Sequence, residues 1–187
     1  MDYNDRPPDP DQEDFEKFEL DKIPFDIEGD SAFPLRKARV SDLKGIMRLV
    51  NGFAASNLML ARGPQYIYEN IRDFVVAEDE NTGESPQMIA CASLHVLWDD
   101  MAEIRATAIH PDYQGKGLGR RLVEYMKIEG KELGIKTLFT WTLAEKFFAE
   151  LGFKRKGKEE LPSKVWGECN RCPKYFNCDE IGMVMEL

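Results

Sequence analysis

A glycine-rich turn between a strand-like and a helix-like stretch constrains the fold of this chain more than any other segment. The strand-like stretch, residues 101–109, reads MAEIRATAI, and the turn, residues 114–119, reads QGKGLG. The stretch that follows spaces Leu118, Leu122 and Met126 as on one face of a helix. The first amides of a helix have no partner within it and mark the positive end of its dipole. Glycines let a ligand approach that backbone closely, so the turn predicts a site for a phosphate-type anion.

Two other nucleotide-binding patterns do not fit this turn. A P-loop needs GxxxxGK followed by Ser or Thr, and a dinucleotide-binding turn needs GxGxxG, whereas the glycines here stand at 115, 117 and 119. Lys116, Arg120 and Arg121 add positive charge beside the turn. On spacing alone, an anion-binding turn and a plain glycine-rich turn without a ligand both remain open.

Strand-like and helix-like stretches alternate along the rest of the chain from Leu35. The predicted strands cover residues 35–39, 74–79, 87–98, 101–109, 137–142 and 180–186. The predicted helices begin at a Ser41 cap, after Pro64, at 118 and at 144. Their inward positions include Tyr68 beside Ile67 and Ile71, and Leu133 at the end of the third helix. This order predicts a mixed α/β (α+β) domain whose central sheet is mostly antiparallel and is flanked by helices.

The net charge of −9 belongs to the N-terminal segment. Residues 1–32 hold twelve acidic and three basic residues, so residues 33–187 are neutral overall. We expect two parts, a partly disordered acidic arm at 1–32 and a domain at 33–187 that includes a cysteine-containing C-terminal segment, 161–187. The apolar residues interleaved in the arm leave a solubilising tail and a docking segment both open.

Charge and hydropathy also exclude some partners. A neutral domain with an acidic arm argues against nucleic acid, because phosphate binding needs clustered Lys and Arg. The sequence has no run of about eighteen apolar residues, which excludes a membrane span. It also does not begin with a basic stretch followed by an apolar one, so we expect no secretory signal and a cytoplasmic protein.

The turn resembles the acetyl-CoA loop, QxxGxG, of the GNAT N-acetyltransferases, with Gln114, Gly117 and Gly119 at its three defined positions. The resemblance covers residues 35–187 and includes HPDYQGKGLG and FFAELGF. It implies the GNAT fold and a loop that binds the pyrophosphate of acetyl-CoA. It further implies that the preceding strand pairs with the pantetheine arm between two splayed strands. The implied cofactor-binding residues are Thr107, Ala108, Ile109, Gln114, Gly115, Lys116, Gly117, Leu118, Gly119 and Arg120.

Longer segments resemble the short, single-domain N-acetylglutamate synthases of bacteria. These are NLMLARGPQYIYENIRDFVVAED, CASLHVLW, AEIRATAIHP and ELPSKVWGECNRCPKYFNCDEI. The resemblance implies acetyl transfer from acetyl-CoA to the α-amino group of L-glutamate, the first step of arginine biosynthesis. Transfer to another amine (another amino acid, a polyamine or a protein N-terminus) and a non-catalytic acetyl-CoA sensor remain open. GNAT proteins are often dimers, but no stripe in this sequence identifies an interface, so a homodimer and a monomer both remain open.

An acetyl acceptor must lose a proton before it attacks, and Glu103 is the candidate base. It lies early in the strand that leads to the loop, where related acetyltransferases carry their base. Strand alternation predicts that Glu103, Arg105, Thr107 and Ile109 share one face, and a structural Glu103–Arg105 pair is the alternative. A backbone amide near Ile109 would bind the oxyanion of the tetrahedral intermediate.

This chain departs from the family pattern at the expected proton donor for the departing thiolate. The family carries a tyrosine in its FYxxLGF element, but Phe148 stands there in this chain. The synthases also tend to carry a tyrosine where this chain has Leu143. Either the thiolate leaves without a donor, or another group such as Tyr113 supplies the proton.

Two arginines and a cysteine cluster complete the candidate residues. Arg62 is the first candidate for a bidentate clamp on the carboxylate of the acceptor, followed by Arg105 and then Lys164. Cys169, Cys172 and Cys178 have a spacing compatible with zinc, but a closed site needs a fourth ligand such as Cys91, His95 or Asp179. Reduced cysteines without a metal are the alternative.

Overall fold

A computed structural model describes residues 33–82, 86–161, 172 and 174–187, and its centre is a seven-stranded sheet. The strands are β1 (Leu35–Lys37), β2 (Phe74–Asp79), β3 (Gln87–Trp98), β4 (Met101–Ile109), β5 (Thr137–Thr142), β6 (Lys154–Lys156) and β7 (Ile181–Glu186). Their order across the sheet is β1-β2-β3-β4-β5-β7-β6. The predicted acidic arm lies outside the described residues.

The sheet is antiparallel except where β4 meets β5. These two strands run parallel, and their pairing covers only Met101–Glu103 against Thr137–Phe139. Beyond Glu103 the two strands separate, whereas β4 remains paired with β3 as far as Ile109. The sheet therefore opens into a V-shaped gap near its middle.

Four α-helices cover the two faces of the sheet: α1 (Leu43–Ala55), α2 (Pro64–Glu69), α3 (Leu118–Glu132) and α4 (Glu145–Glu150). On one face, α1 and α2 bury Ile46, Val50 and Ile67 against β2 and β3. On the other face, α3 and α4 bury residues such as Leu122 and Phe148 against β3, β4 and β5. Apolar burial on both faces stabilises the layered arrangement. In the described part of the chain, no helix is both long and apolar enough to span a bilayer.

A bulge in β4 exchanges the two faces of that strand. Arg105 pairs with Ser93 and Ala108 with Cys91, so β4 carries one residue more than β3 over this interval. Ala106 absorbs the extra residue with a φ of 50°. Before the bulge Glu103 and Arg105 lie on the α1–α2 face, and after it Ile109 packs on the α3–α4 face. The prediction that Glu103, Arg105, Thr107 and Ile109 share one face is therefore wrong.

Three smaller predictions are also wrong. The predicted cap Ser41 lies within a 3-10 turn, Val40–Asp42, and α1 begins only at Leu43. Leu133 follows the end of α3 and is 52% exposed, because the helix stops before it can turn this side chain inward. Tyr68 is 49% exposed, since neighbouring helical residues such as Ile67 and Tyr68 point about 100° apart.

Candidate active site

The gap between β4 and β5 holds a cavity of about 830 Å³ whose lining comes from both faces of the sheet. Phe53, Met59 and Arg62 line it from the side of α1 and α2. Ile109, Gln114, Phe147 and Phe148 line it from the side of α3 and α4. Two ligands could therefore meet in the gap from opposite faces.

The glycine-rich turn joins this cavity to the start of α3. Gly117 is the residue before α3 and has a φ of 80°, and Gly115 has a φ of 73°. Both are in the left-handed region, and open space lies where a Cβ would stand on either residue. The side chain of Gln114 donates to the carbonyl of Ile109 at 3.2 Å, which holds the turn against the end of β4. The exposed turn at 114–117 thus leads directly into the start of α3, whose first amides have no partners within the helix, and this is the arrangement expected of an anion site.

Glu103 and Arg105 form an ion pair in the wall of the cavity. The Nε of Arg105 donates to Oε2 of Glu103 at 2.7 Å, and Nη2 lies 2.5 Å from the same oxygen. The Glu103 residue is only 6% exposed, yet it lines the cavity. Because Glu103 is paired with Arg105 and also lines the cavity, the geometry accommodates both sequence readings of Glu103, base and partner of Arg105.

Arg62 lines the same cavity, and the surrounding structure holds it in place. The side chain of Asn51 accepts from the Arg62 amide at 2.8 Å and donates to its carbonyl at 3.0 Å. The guanidinium carbon lies 4.1 Å from the centre of the Tyr66 ring. The Tyr66 ring and the Asn51 side chain thus fix the position of Arg62 in the cavity wall.

His95 belongs to a buried polar group that the sequence did not single out as part of the site. It pairs across the strands with Glu103, and its ring contacts Ser93, Tyr66 and Asp73. Ser93 lies on the same strand, but Tyr66 in α2 and Asp73 in the turn before β2 come from separate segments, so the packing of these segments on the sheet brings them to His95.

Tyr113, the candidate proton donor, points away from the gap. Its hydroxyl donates to Oδ2 of Asp79 at 2.7 Å, and this hydrogen bond raises the pKa of Tyr113. The ammonium group of Lys116 lies 4.6 Å from the centre of its ring. Tyr113 is not among the residues that line the cavity.

Phe148 and Leu143, which stand where the resemblance leads one to expect tyrosines, both line the cavity. Phe148 is 3% exposed and packs edge-to-face on Phe147 and Phe153. The described hydroxyl side chains that line the cavity are those of Thr107, Thr140 and Thr142. Of these, Thr142 accepts from the amide of Ala144 at 2.9 Å.

Two of the clustered cysteines lie at the mouth of the cavity. Cys172 and Cys178 line it together with Phe176 and Glu180, which the sequence did not indicate. Cys91 lies elsewhere, buried within β3. Within the described ranges, no three His, Cys, Asp or Glu side chains form a group that could hold a metal. Cys169 and Lys164 lie outside the described residues, so a zinc site that includes Cys169 stays a prediction.

The fold and the cavity correspond to a known family. A family model for the acetyltransferase (GNAT) domain matches residues 70–155. The chain is 39% identical over 153 residues to an uncharacterized N-acetyltransferase of Chlorobaculum tepidum, covering 82% of this chain and 96% of that protein. The chain therefore belongs to the GNAT acetyltransferase family, whose members are acetyl-CoA-dependent transferases.

Two further comparisons concern amino-acid acetylation. The chain is 31% identical over 137 residues to the amino-acid acetyltransferase of Mycobacterium tuberculosis, covering 73% of this chain and 77% of that protein. It also resembles the N-acetylglutamate synthase of Neisseria gonorrhoeae, solved with coenzyme A and L-arginine, with a TM-score of 0.66 and 26% identity. That likeness covers 83% of this chain but only 33% of the synthase.

Proposed function

We propose that this protein transfers the acetyl group of acetyl-CoA to the α-amino group of an amino acid, with L-glutamate as the acceptor, and so begins arginine biosynthesis. The observation that carries the proposal is the cavity lined from both sheet faces, with Glu103 and Arg62 in its wall. The amino-acid acetyltransferases among its relatives support an amino-acid acceptor.

In this proposal acetyl-CoA enters from the side of α3. Its pyrophosphate binds the turn at Gln114–Gly119 and Arg120, assisted by the charge of Lys116. Its pantetheine arm lies along the edge of β4 at Thr107, Ala108 and Ile109, where β5 has separated from β4. Extended amide-containing ligands pair with such a strand edge through backbone hydrogen bonds.

The acceptor enters from the side of α1 and α2. Arg62 binds a carboxylate of the amino acid, and Arg105 is the candidate for the second carboxylate of glutamate. The ammonium group loses a proton to Glu103, directly or through one water, and the amine then attacks the thioester carbonyl. A backbone amide near Ile109 stabilises the oxyanion.

Collapse of the tetrahedral intermediate breaks the C–S bond and releases the CoA thiolate. The Tyr113 hydroxyl donates a hydrogen bond to Asp79, so we do not assign Tyr113 as the group that protonates the thiolate. A thiol is acidic enough for its thiolate to leave without a donor. The nitrogen loses its second proton as the amide forms, and the thiolate takes up this proton through water.

The test is the release of CoA from acetyl-CoA with each of the twenty amino acids and with spermidine, with products resolved by chromatography. We expect selective turnover with L-glutamate. Selective turnover with another amine would retain the transferase and reject glutamate. Tight acetyl-CoA binding without turnover on any acceptor would instead support a sensor, with Leu143 and Phe148 as the first positions to change.

A further inference from the structure

A hydrogen-bonded chain runs beneath the Glu103–Arg105 pair, and His95 is its central member. The ring of His95 is buried, with its Nδ1 3.3 Å from Oδ2 of Asp73 and its Nε2 2.9 Å from Oγ of Ser93. The Tyr66 hydroxyl lies farther from Nε2, at 3.4 Å. Both ring nitrogens therefore face oxygen atoms.

The proton count of these contacts sets how many protons His95 and Asp73 hold together. Ser93 has one hydroxyl proton, which it donates to the backbone carbonyl of Arg105 at 3.3 Å, so its oxygen accepts from Nε2 of His95. Nδ1 and Asp73 then hold one further proton between them. With Asp73 as a carboxylate, which only accepts, the three contacts are satisfied together when His95 is an imidazolium ion.

The same chain reaches the candidate base. The Arg105 carbonyl that receives the Ser93 proton immediately precedes the bulge at Ala106. The Arg105 side chain holds Glu103, and Glu103 itself lies opposite His95 in the β3–β4 register. A shift of His95 would therefore be transmitted to the backbone that sets the position of Glu103.

The charged groups around Asp73 and His95 come from four segments. Burial raises the pKa of Asp73, while the positive charges of Lys37 on β1, Arg105 on β4 and Arg72 lower it. Glu103 adds a negative charge opposite His95. His95 and Asp73 thus lie between cations and carboxylates, where one buried proton can be shared between them.

We propose that His95 is a positioning residue that Asp73 holds as an imidazolium ion, and that through Ser93 it fixes the backbone of Arg105 and the orientation of Glu103. The proposal rests on the assignment of Glu103 as the base. It predicts a charged histidine beneath the site at pH values where an ordinary histidine is neutral.

The first experiment is an ¹H–¹⁵N NMR titration of the imidazole rings in the full-length protein. The chain has only two histidines, so a His110→Gln variant assigns both signals. We expect both nitrogens of His95 to remain protonated to about pH 8, above the ordinary histidine pKa of about 6.5. Asp73→Asn should return His95 to the neutral form at pH 7. Asp112→Asn, beside the half-buried His110, is the matched control and should leave His95 unchanged.

The second experiment measures steady-state kinetics of Asp73→Asn and Ser93→Ala. Ser93→Ala cuts the connection to Arg105 while leaving Asp73 in place, so Nδ1 of His95 should remain protonated while kcat falls about tenfold. The acetyl-CoA KM should stay within about twofold in both variants, because the loop that binds the cofactor is elsewhere. If Asp73 and Ser93 only stabilised the fold, their variants would not lower kcat selectively while leaving the KM for acetyl-CoA unchanged.

Each outcome bears on the proposal. A His95 that titrates near pH 6.5, or that ignores Asp73→Asn, overturns it. An imidazolium in the wild-type protein combined with an unchanged kcat in both variants also overturns it, because the His95–Asp73 pair would then have only a structural role. Absence of wild-type turnover with glutamate counts against the proposed function alone, since the NMR titration needs no acceptor and still decides the charge of His95.

Discussion

The ring of Phe147 lies 3.1 Å from the position that a Cβ atom would take on Gly119, and a methyl of Ile109 lies 3.4 Å from it. The second residue of α3 is thus pressed against α4 and against the end of β4. Glycine at 119 is required for this approach, independently of any ligand. The first turn of α3 therefore carries both this packing contact and part of the proposed cofactor-binding loop.

Gly119→Ala should push the Phe147 ring aside and destabilise the protein by about 1–3 kcal/mol, as overpacking does. Phe147→Leu should restore part of that loss in the double variant, because it removes the ring atoms that clash. Chemical denaturation of the wild type, both single variants and the double variant measures the coupling. Additive losses would mean that the two residues do not compete for the same space.

Gly117→Ala and Gly134→Ala form a matched pair. Both glycines have φ near 80° and open space where a Cβ would stand, but only Gly117 lies in the proposed cofactor loop. Each alanine should cost roughly 1–2 kcal/mol of stability, because an L-residue is strained in this region. Only Gly117→Ala should also raise the KM for acetyl-CoA. Equal KM values for the two variants would remove Gly117 from the cofactor site.

Glu103→Gln should lower kcat by roughly 10²-fold, since the amide cannot take the proton of the acceptor ammonium. Initial rates at saturating concentrations of both substrates measure the effect. Glu150→Gln on the exposed surface of α4 is the control. Near-normal turnover in Glu103→Gln would leave Glu103 with a structural role only, as the partner of Arg105.

Arg62→Ala should raise the KM for the amino-acid acceptor by at least about tenfold, because a hydrogen-bonded ion pair contributes about 1.5–3 kcal/mol. The KM for acetyl-CoA should not change. Arg48→Ala, an exposed residue of α1, controls for the loss of one positive charge. An acceptor KM that is the same in Arg62→Ala and Arg48→Ala would exclude Arg62 from the acceptor site.

The cysteines should differ sharply in reactivity. Burial raises the pKa of the Cys91 thiol to about 12, so iodoacetamide at pH 8 should leave it unmodified in the native protein and modify it in denaturant. Cys172 and Cys178, half-buried at the mouth of the cavity, should react in the native protein. If they bind zinc together with Cys169, they should react only after a chelator is added. Peptide mapping by mass spectrometry distinguishes these results, and native modification of Cys91 would contradict its burial.

The sequence predicts β2, β3, β4 and β5 with their observed bounds, because apolar runs in these strands end at clear turn residues. It does not predict β6, whose three residues, Lys154–Lys156, are all exposed and charged at the sheet edge. It also misses the bulge, since an alanine at φ of 50° carries no compositional signal. The error about which residues share a face of β4 follows directly from this.

The candidate site was likewise predictable from the sequence only in part. Glycine spacing locates the loop, and the resemblance indicates the splayed strands. The partners of Tyr113 and His95 could not be predicted, because Asp79 is 34 positions from Tyr113 and Asp73 comes from a separate turn. Such contacts depend on strand register, which local sequence patterns do not fix.

The bulge at Ala106 makes β4 two short strands joined out of phase. Before the bulge, Ala102 and Ile104 pack in the layer of α3 and α4, and Glu103 and Arg105 point to the opposite face; after it, Ala108 packs in the layer of α1 and α2 and Ile109 in that of α3 and α4. Random variation of the positions that face α1 and α2 should alter acceptor choice while leaving thioester recognition intact, and the reverse should hold for the positions that face α3 and α4. A strand built this way separates the two recognition tasks by face rather than by position along the chain.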